Sequence, residues 1–228
     1  MIFTPLSPGT SVEGLEIEAL KTDIQTNKYL YLLAGTHGDE VEGVYVLQQL
    51  LSWLKEEHSI EELPIVVVPI LNPDGYRSGS RVNSHAVDLN RNYPTENWSS
   101  EFKKEKYNPG SAPLSEPENE FLDKLFKKFP PGFIISFHSW KPIINFNDDA
   151  EDVAEYLSSY NEYPITEDIG YPTPGSLGSY APEKFNAPVI TFECPVLNED
   201  ISLKSIWECN EKGLKNLIQS ELLKDKLK

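Results

Sequence analysis

Four short apolar runs constrain this chain more than any other feature: YLYLLA (29–34), IVVVPIL (65–71), FIISF (133–137) and PVITFEC (188–194). Each has the length of a strand and is bounded by Gly, Pro or polar residues, so each reads as a buried strand. Pro69, inside the second run, removes a backbone donor and predicts a strand end or a sheet edge. Between the runs the apolar spacing becomes helical. Val41, Val44, Leu47, Leu51 and Leu54 share one stripe and predict an amphipathic helix to about Glu57. Ser115 and Glu118 form a capping-box pattern ahead of a second helix. Its buried face is Phe121, Leu122, Leu125, Phe126 and Phe129, and Pro130-Pro131 stops it. A third helix is predicted over 149–160, and a last one carries Ile206, Leu214, Leu217, Ile218 and Leu222. Strands alternating with helices define an α/β layered domain with a largely parallel sheet.

The 228 residues suit a single domain, 1–228, with no repeat, low-complexity tract or linker. A net charge of −16 argues against nucleic acid and against an anionic membrane surface, since both require clustered Lys and Arg. The start, MIFTPLSPGTSVEG, has neither the cationic segment nor the apolar stretch of a secretory signal. No apolar run reaches the ~20 residues of a membrane span. The expectation is a soluble cytoplasmic protein. Cys194 and Cys209 are too few for a disulfide scaffold.

In open α/β sheets, ligands bind at the carboxyl ends of strands. Three of the runs deliver polar residues there: THGDE after the first, FHSW at the third and TFEC at the last. His37, Glu40, His138 and Glu193 can therefore converge on one sheet edge. Two histidines and a carboxylate make a catalytic zinc set that leaves a fourth position for water. His37 and Glu40, three apart on a turn into a helix, share a face, and Gly38 lets the chain bend between them. His138 completes the set from a distant strand. Glu193 then acts as general base for the water and as proton donor to the leaving amine. Taken alone, His-x-x-Glu also fits a surface turn, and His138 a hydrogen-bonded strand end. Cys194 points away from Glu193 by strand alternation and is expected to be a buried structural thiol. His58 and His85 match no motif and are expected to be solvent-exposed.

Residues 72–113 are rich in Asn, Pro, Gly and Ser, without periodicity, and read as a long functional loop. The loop contains Asn72-Pro73-Asp74-Gly75 and Asp88-Leu89-Asn90-Arg91-Asn92. With HxxE before these motifs, and a strand His and a late Glu after them, the chain resembles the zinc metallocarboxypeptidase family. That family's order is HxxE, NPDG, an Arg, D-x-NR, a strand His and a late Glu, and all occur here in that order across residues 35–194. The resemblance implies that His37, Glu40 and His138 hold one zinc ion per chain and that Glu193 is the general base. It implies that Arg81 stabilises the oxyanion, with Arg77 a weaker candidate. Asn90 and Arg91 correspond to the clamp on the substrate's terminal carboxylate, and Asp88 to the carboxylate that orients the first zinc histidine. The implied fold is an α/β/α sandwich around a mixed, largely parallel sheet, with edge strands beyond those the apolar runs supply.

The stretches GTSVEGLEIEAL, GTHGDEVEG, YNPGSAPLSEPE and YPTPGSLGSYA are similar to the bacterial murein peptide amidases within that family. That branch releases diaminopimelate from the γ-D-glutamyl bond of murein peptides, so the implied substrate is a small murein tripeptide. Digestive members carry an Arg inside HxxE where Asp39 stands. Asp39, or an acid of Asp148-Asp149, can pair with the substrate's distal ammonium, and Asp39 can equally cap the following helix. Digestive members also use a mobile Tyr before a Gly-Ser pair. Counting back from Gly175-Ser176 puts Gly170 at its place and Tyr171 one residue off, which makes Tyr171 the candidate. An aspartoacylase or succinylglutamate desuccinylase type of deacylase shares HxxE and an active-site Arg, but the NPDG, SEPE and DLNRN context stands against it. A general metallocarboxypeptidase and a metal-free module binding peptidoglycan fragments are the remaining alternatives, and the retained Glu193 speaks against the last.

Overall fold

The four apolar runs become neighbours in one eight-stranded sheet. The computed structural model describes residues 1–57 and 63–228, so the expected exposure of His58 lies outside the described residues. The chain opens with β1 (Phe3–Pro5), the short pair β2 (Gly9–Thr10) and β3 (Glu16–Ile17), and β4 (Leu20–Thr22). Next come β5 (Tyr29–Ala34), α1 (Val41–Glu56), β6 (Ile65–Val68), α2 (Pro73–Ser78) and α3 (Pro117–Lys128). They are followed by β7 (Pro131–Trp140), β8 (Ile143–Asn147), α4 (Glu151–Asn161) and β9 (Ile165–Thr166). The chain ends with α5 (Leu177–Phe185), β10 (Val189–Pro195), α6 (Leu203–Ile218) and α7 (Glu221–Lys226).

The strand order is β1-β4-β6-β5-β7-β10-β8-β9. The central block β6-β5-β7-β10 is parallel, while β4 and β8 flank it antiparallel. Because side chains alternate along a strand, each run feeds two cores. Leu30, Leu32, Phe133, Ile135, Ile190 and Phe192 pack with residues of α1, α4 and α6, whereas Tyr31, Leu33, Val66, Ile134 and Val189 pack with α3 and α5. Helices cover both faces, which is why the central strands carry unbroken apolar runs. Cys194 belongs to the α1 side of the core, and both cysteines are free. Among the described residues, no helix is long and apolar enough to cross a membrane.

Two local expectations are revised, and for Pro69 the strand end holds and the edge does not, because β6 lies between β4 and β5. The capping box at Ser115 does not form. Pro117, which lacks an N–H and fits the first helical position, makes Glu116 the N-cap residue, while Ser115 Oγ donates to Glu116 Oε1 at 2.7 Å. Residues 72–113 are not wholly loop: NPDG opens α2, with Asn72 Oδ1 accepting from the Gly75 N–H at 2.9 Å, and short 3-10 turns occur at Leu89–Arg91 and Glu105–Tyr107.

Candidate active site

His37 lies in the turn after β5, Glu40 stands at the N-cap of α1, and His138 and Glu193 lie near the carboxyl ends of β7 and β10. In the parallel β7–β10 ladder, Glu193 is the register partner of His138. Alternation places both on the face packed by α3 and α5, opposite to Cys194. Two glycines permit this convergence. A Cβ on Gly38 would lie 2.0 Å from the Gly75 carbonyl carbon, so the HGDE turn rests directly on NPDG. Gly38 is thus required for close approach in this turn, and its φ lies outside the left-handed region. A Cβ on Gly43 would meet the Phe137 carbonyl at 2.8 Å, so α1 lies against β7 beside His138.

Glu40 spans the two histidines. Its Oε1 is 2.7 Å from His37 Nδ1 and its Oε2 is 2.7 Å from His138 Nδ1, and the two ring nitrogens are 3.2 Å apart. Ligand atoms from all three residues lie within 4.8 Å of one another. Two facing imidazole nitrogens and a carboxylate, all withdrawn from solvent, are a donor set suited to zinc with an open position. Glu193 Oε2 fits this assignment: it is buried beside the cluster with no hydrogen-bond partner. Burial, reinforced by the Glu40 charge, pushes the Glu193 pKa up against the pull of His138.

Asp88 orients the cluster from behind. It is fully buried, with Oδ1 3.1 Å from His37 Nε2 and Oδ2 accepting from Arg81 Nε at 3.3 Å and Nη2 at 3.1 Å. Burial alone would raise its pKa, but the His37 charge and hydrogen bond, with Arg81 and Arg91 nearby, hold it far below the usual carboxylate range. Arg81 Nη1 also donates to Glu40 Oε1 at 3.1 Å. Arg91 is 6% exposed, and its Nη1 donates to the Asn90 carbonyl at 2.6 Å. Asn90 Oδ1 accepts from the Leu177 N–H at 2.8 Å, which fixes that carboxamide at the start of α5.

His37, Glu40, His138, Glu193, Arg81 and Arg91 line a cavity of about 870 Å³. Asp39, Asn90 and Tyr171 line it too, with Tyr171 edge-to-face against Trp140 at 6.2 Å between centroids. Asp39 does not cap α1, whose N-cap residue is Glu40 and makes no side-chain cap bond. Other candidates fall elsewhere. Arg77 pairs with Glu13 on the surface, and neither Asp148 nor Asp149 reaches the cavity, Asp149 pairing with Lys226 at 3.1 Å. His85 is exposed as expected, with Nδ1 2.8 Å from Glu116 Oε2. Sequence reasoning missed Tyr107, Glu42, Asn145 and Asn147, which all line the cavity. Tyr107 lies in YNPGSAPLSEPE and Glu42 in GTHGDEVEG, but nothing local in either stretch marks the residue as part of the site.

The chain belongs to the zinc carboxypeptidase family (Peptidase M14), whose profile matches residues 2–166. Murein peptide amidase A of Vibrio campbellii is 33% identical over 215 residues, covering 89% of this chain and 84% of that protein. The Escherichia coli K12 protein of the same name is 35% identical over 185 residues, covering 74% and 72%. Among solved structures, murein-tripeptide amidase MpaA from Escherichia coli O157 superposes with a TM-score of 0.77 at 31% identity, covering 93% of this chain and 90% of that one. Bovine thrombin-activatable fibrinolysis inhibitor gives 0.79 at 20% identity over 98% and 91%, a likeness of fold. The protein is accordingly a zinc metallopeptidase with a mixed central sheet flanked by helices.

Proposed function

We infer that this chain is a cytoplasmic, zinc-dependent amidase that hydrolyses the γ-D-glutamyl–meso-diaminopimelate bond of murein peptides, with residues 1–228 acting as one catalytic domain. The observation that carries the reading is the pairing, in one cavity, of an Arg91 fork with donors to spare and a buried, unpartnered Glu193 oxygen beside the His37–Glu40–His138 cluster. That combination suits an amide next to a free carboxylate. The named relatives supply the peptide class.

His37, Glu40 and His138 would hold the zinc ion, which polarises a carbonyl and acidifies water. Glu193, desolvated and with its pKa raised, accepts the proton of the attacking water and returns it to the leaving amine. Arg81 uses three of its five N–H donors on Glu40 and Asp88, and the remaining two can reach the oxyanion. Arg91 receives the terminal carboxylate on its planar fork, with Asn90 beside it. Tyr171, at the mouth, closes over the bound peptide. Asn145, Asn147 and Thr191 make one cavity wall polar, while Asp39, Glu167 and Asp168 supply negative charge for the distal ammonium.

The test is direct. The zinc-loaded protein is incubated with L-alanyl-γ-D-glutamyl-meso-diaminopimelate, and free diaminopimelate is measured by mass spectrometry alongside metal content. About one zinc per chain, with release that a chelator and Glu193→Ala both abolish, supports the reading. Zinc without diaminopimelate release, together with turnover of N-acyl amino acids or ordinary peptides, sinks the substrate assignment.

A further inference from the structure

Two guanidinium groups face the same cavity but are held in different ways. Arg81 is gripped by the carboxylates of Glu40 and Asp88. Arg91, almost as deeply buried as His37 and His138, makes its hydrogen bond to the neighbouring Asn90 carbonyl and no ion pair among the described residues. Between them lies Tyr107, whose ring centroid is 5.7 Å from the Arg81 Cζ and 5.5 Å from the Arg91 Cζ. The ring closes the 3-10 turn Glu105–Tyr107 and lines the cavity. Its backbone is anchored to the catalytic frame. The next residue, Asn108, accepts the Asp88 N–H on its carbonyl at 2.8 Å and donates from Nδ2 to the Ala86 carbonyl at 2.9 Å.

This arrangement answers a physical problem. A buried guanidinium must be held rigidly to receive a carboxylate in two-point geometry, but a protein carboxylate that held it would occupy the same donors. An aromatic face attracts the cation through its quadrupole and leaves the N–H edge free. One ring facing both arginines also offsets the repulsion between two like charges in one cleft.

We propose that Tyr107 is a positioning residue, the platform that fixes the Arg91 fork for the terminal carboxylate of the substrate. The proposal rests on the carboxylate-binding role of Arg91 given above, and it holds for any peptide with a free terminal carboxylate.

Three zinc-loaded variants test it: Tyr107→Phe, Tyr107→Leu, and Tyr107→Leu combined with Arg91→Ala. Tyr107→Phe keeps the ring and is expected to match the wild type. Tyr107→Leu is expected to raise KM for the murein tripeptide roughly ten-fold while leaving kcat nearly unchanged, and to add nothing in the Arg91→Ala background. In binding titrations, Tyr107→Leu should weaken N-acetylglycine and leave N-acetylglycinamide unaffected. An unchanged KM, a loss confined to kcat, a further loss in the Arg91→Ala background, or failure of Tyr107→Phe to restore wild-type behaviour overturns the proposal. A wild-type protein that leaves the tripeptide intact refutes the substrate reading alone. The paired N-acetylglycine titrations then decide Tyr107, and equal affinities in wild type and Tyr107→Leu overturn it.

Discussion

Glu42 and Ser139 are joined by a hydrogen bond of 2.6 Å from Ser139 Oγ to Glu42 Oε2, and the other Glu42 oxygen accepts from the Leu197 N–H at 2.8 Å. One buried carboxylate thus ties together the first turn of α1, which follows Glu40, the end of β7, which carries His138, and the segment after β10, which carries Glu193. Glu42→Ala would leave a buried hydroxyl and a backbone N–H unpaired. The expected outcome is a loss of about 2–4 kcal/mol in urea unfolding and a fall in kcat/KM. Glu42→Gln, which retains an acceptor, should lose less. Equal losses in the two variants would mean that the full carboxylate, with its charge and two acceptor oxygens, is what Glu42 contributes, since Gln keeps the volume and one acceptor.

Glu193 sets the acid side of the pH profile. Burial and the Glu40 charge raise its pKa, and a general base works only when ionised. Activity therefore falls as pH drops through a midpoint above the ordinary glutamate value of about 4.3. A profile of kcat/KM against pH on the zinc-loaded enzyme measures this. A midpoint within the ordinary carboxylate range would remove Glu193 desolvation from the mechanism.

How much of this could be read beforehand follows from where the information resides. β5, β6, β7 and β10 were legible because strands covered on both faces carry unbroken apolar runs. Edge strands such as β1 and β9 span three and two residues, with partly exposed side chains, and local composition does not betray them. His37, Glu40, His138 and Glu193 were legible because each closely follows one of those runs. Arg81, Asn90, Arg91 and Asp88 were legible through motif order alone. Glu42 and Tyr107 were not, since their contacts arise only on folding. Leu197 lies 155 positions from Glu42, and Tyr107 meets two arginines on separate turns. The misplaced helix start at Ser115 has a local cause, the preference of Pro117 for the first helical position.

Asp88 should control metal affinity without touching the metal. Its Oδ1 faces His37 Nε2 and so presents Nδ1 to the cluster, while Oδ2 holds Arg81. Asp88→Asn keeps the shape but removes the charge that both partners rely on. Competition against a chelator is expected to show roughly 10–100-fold weaker zinc binding. Unchanged affinity would show that His37 is oriented by packing alone.

The metal-free protein has its own pH dependence, centred on His37. Burial alone would lower the His37 pKa, yet the Glu40 charge, with the charge and hydrogen bond of Asp88, overrides both burial and Arg81 and raises it to about 9. The unfolded value is about 6.5, so the folded protein holds the proton more tightly. The resulting stabilisation, on the order of 3 kcal/mol, is fully present below pH ~6.5 and is lost as pH rises through about 9. Zinc requires the neutral ring, so its binding expels this proton and its affinity rises with pH across the same window. Urea unfolding of chelator-treated protein at pH 6.5 and 9.5, beside His37→Asn and the zinc-loaded form, tests both statements. The chelator-treated wild-type chain should lose stability over that interval, while His37→Asn and the loaded form should not show this loss. The same decline in His37→Asn would place the responsible proton on another group.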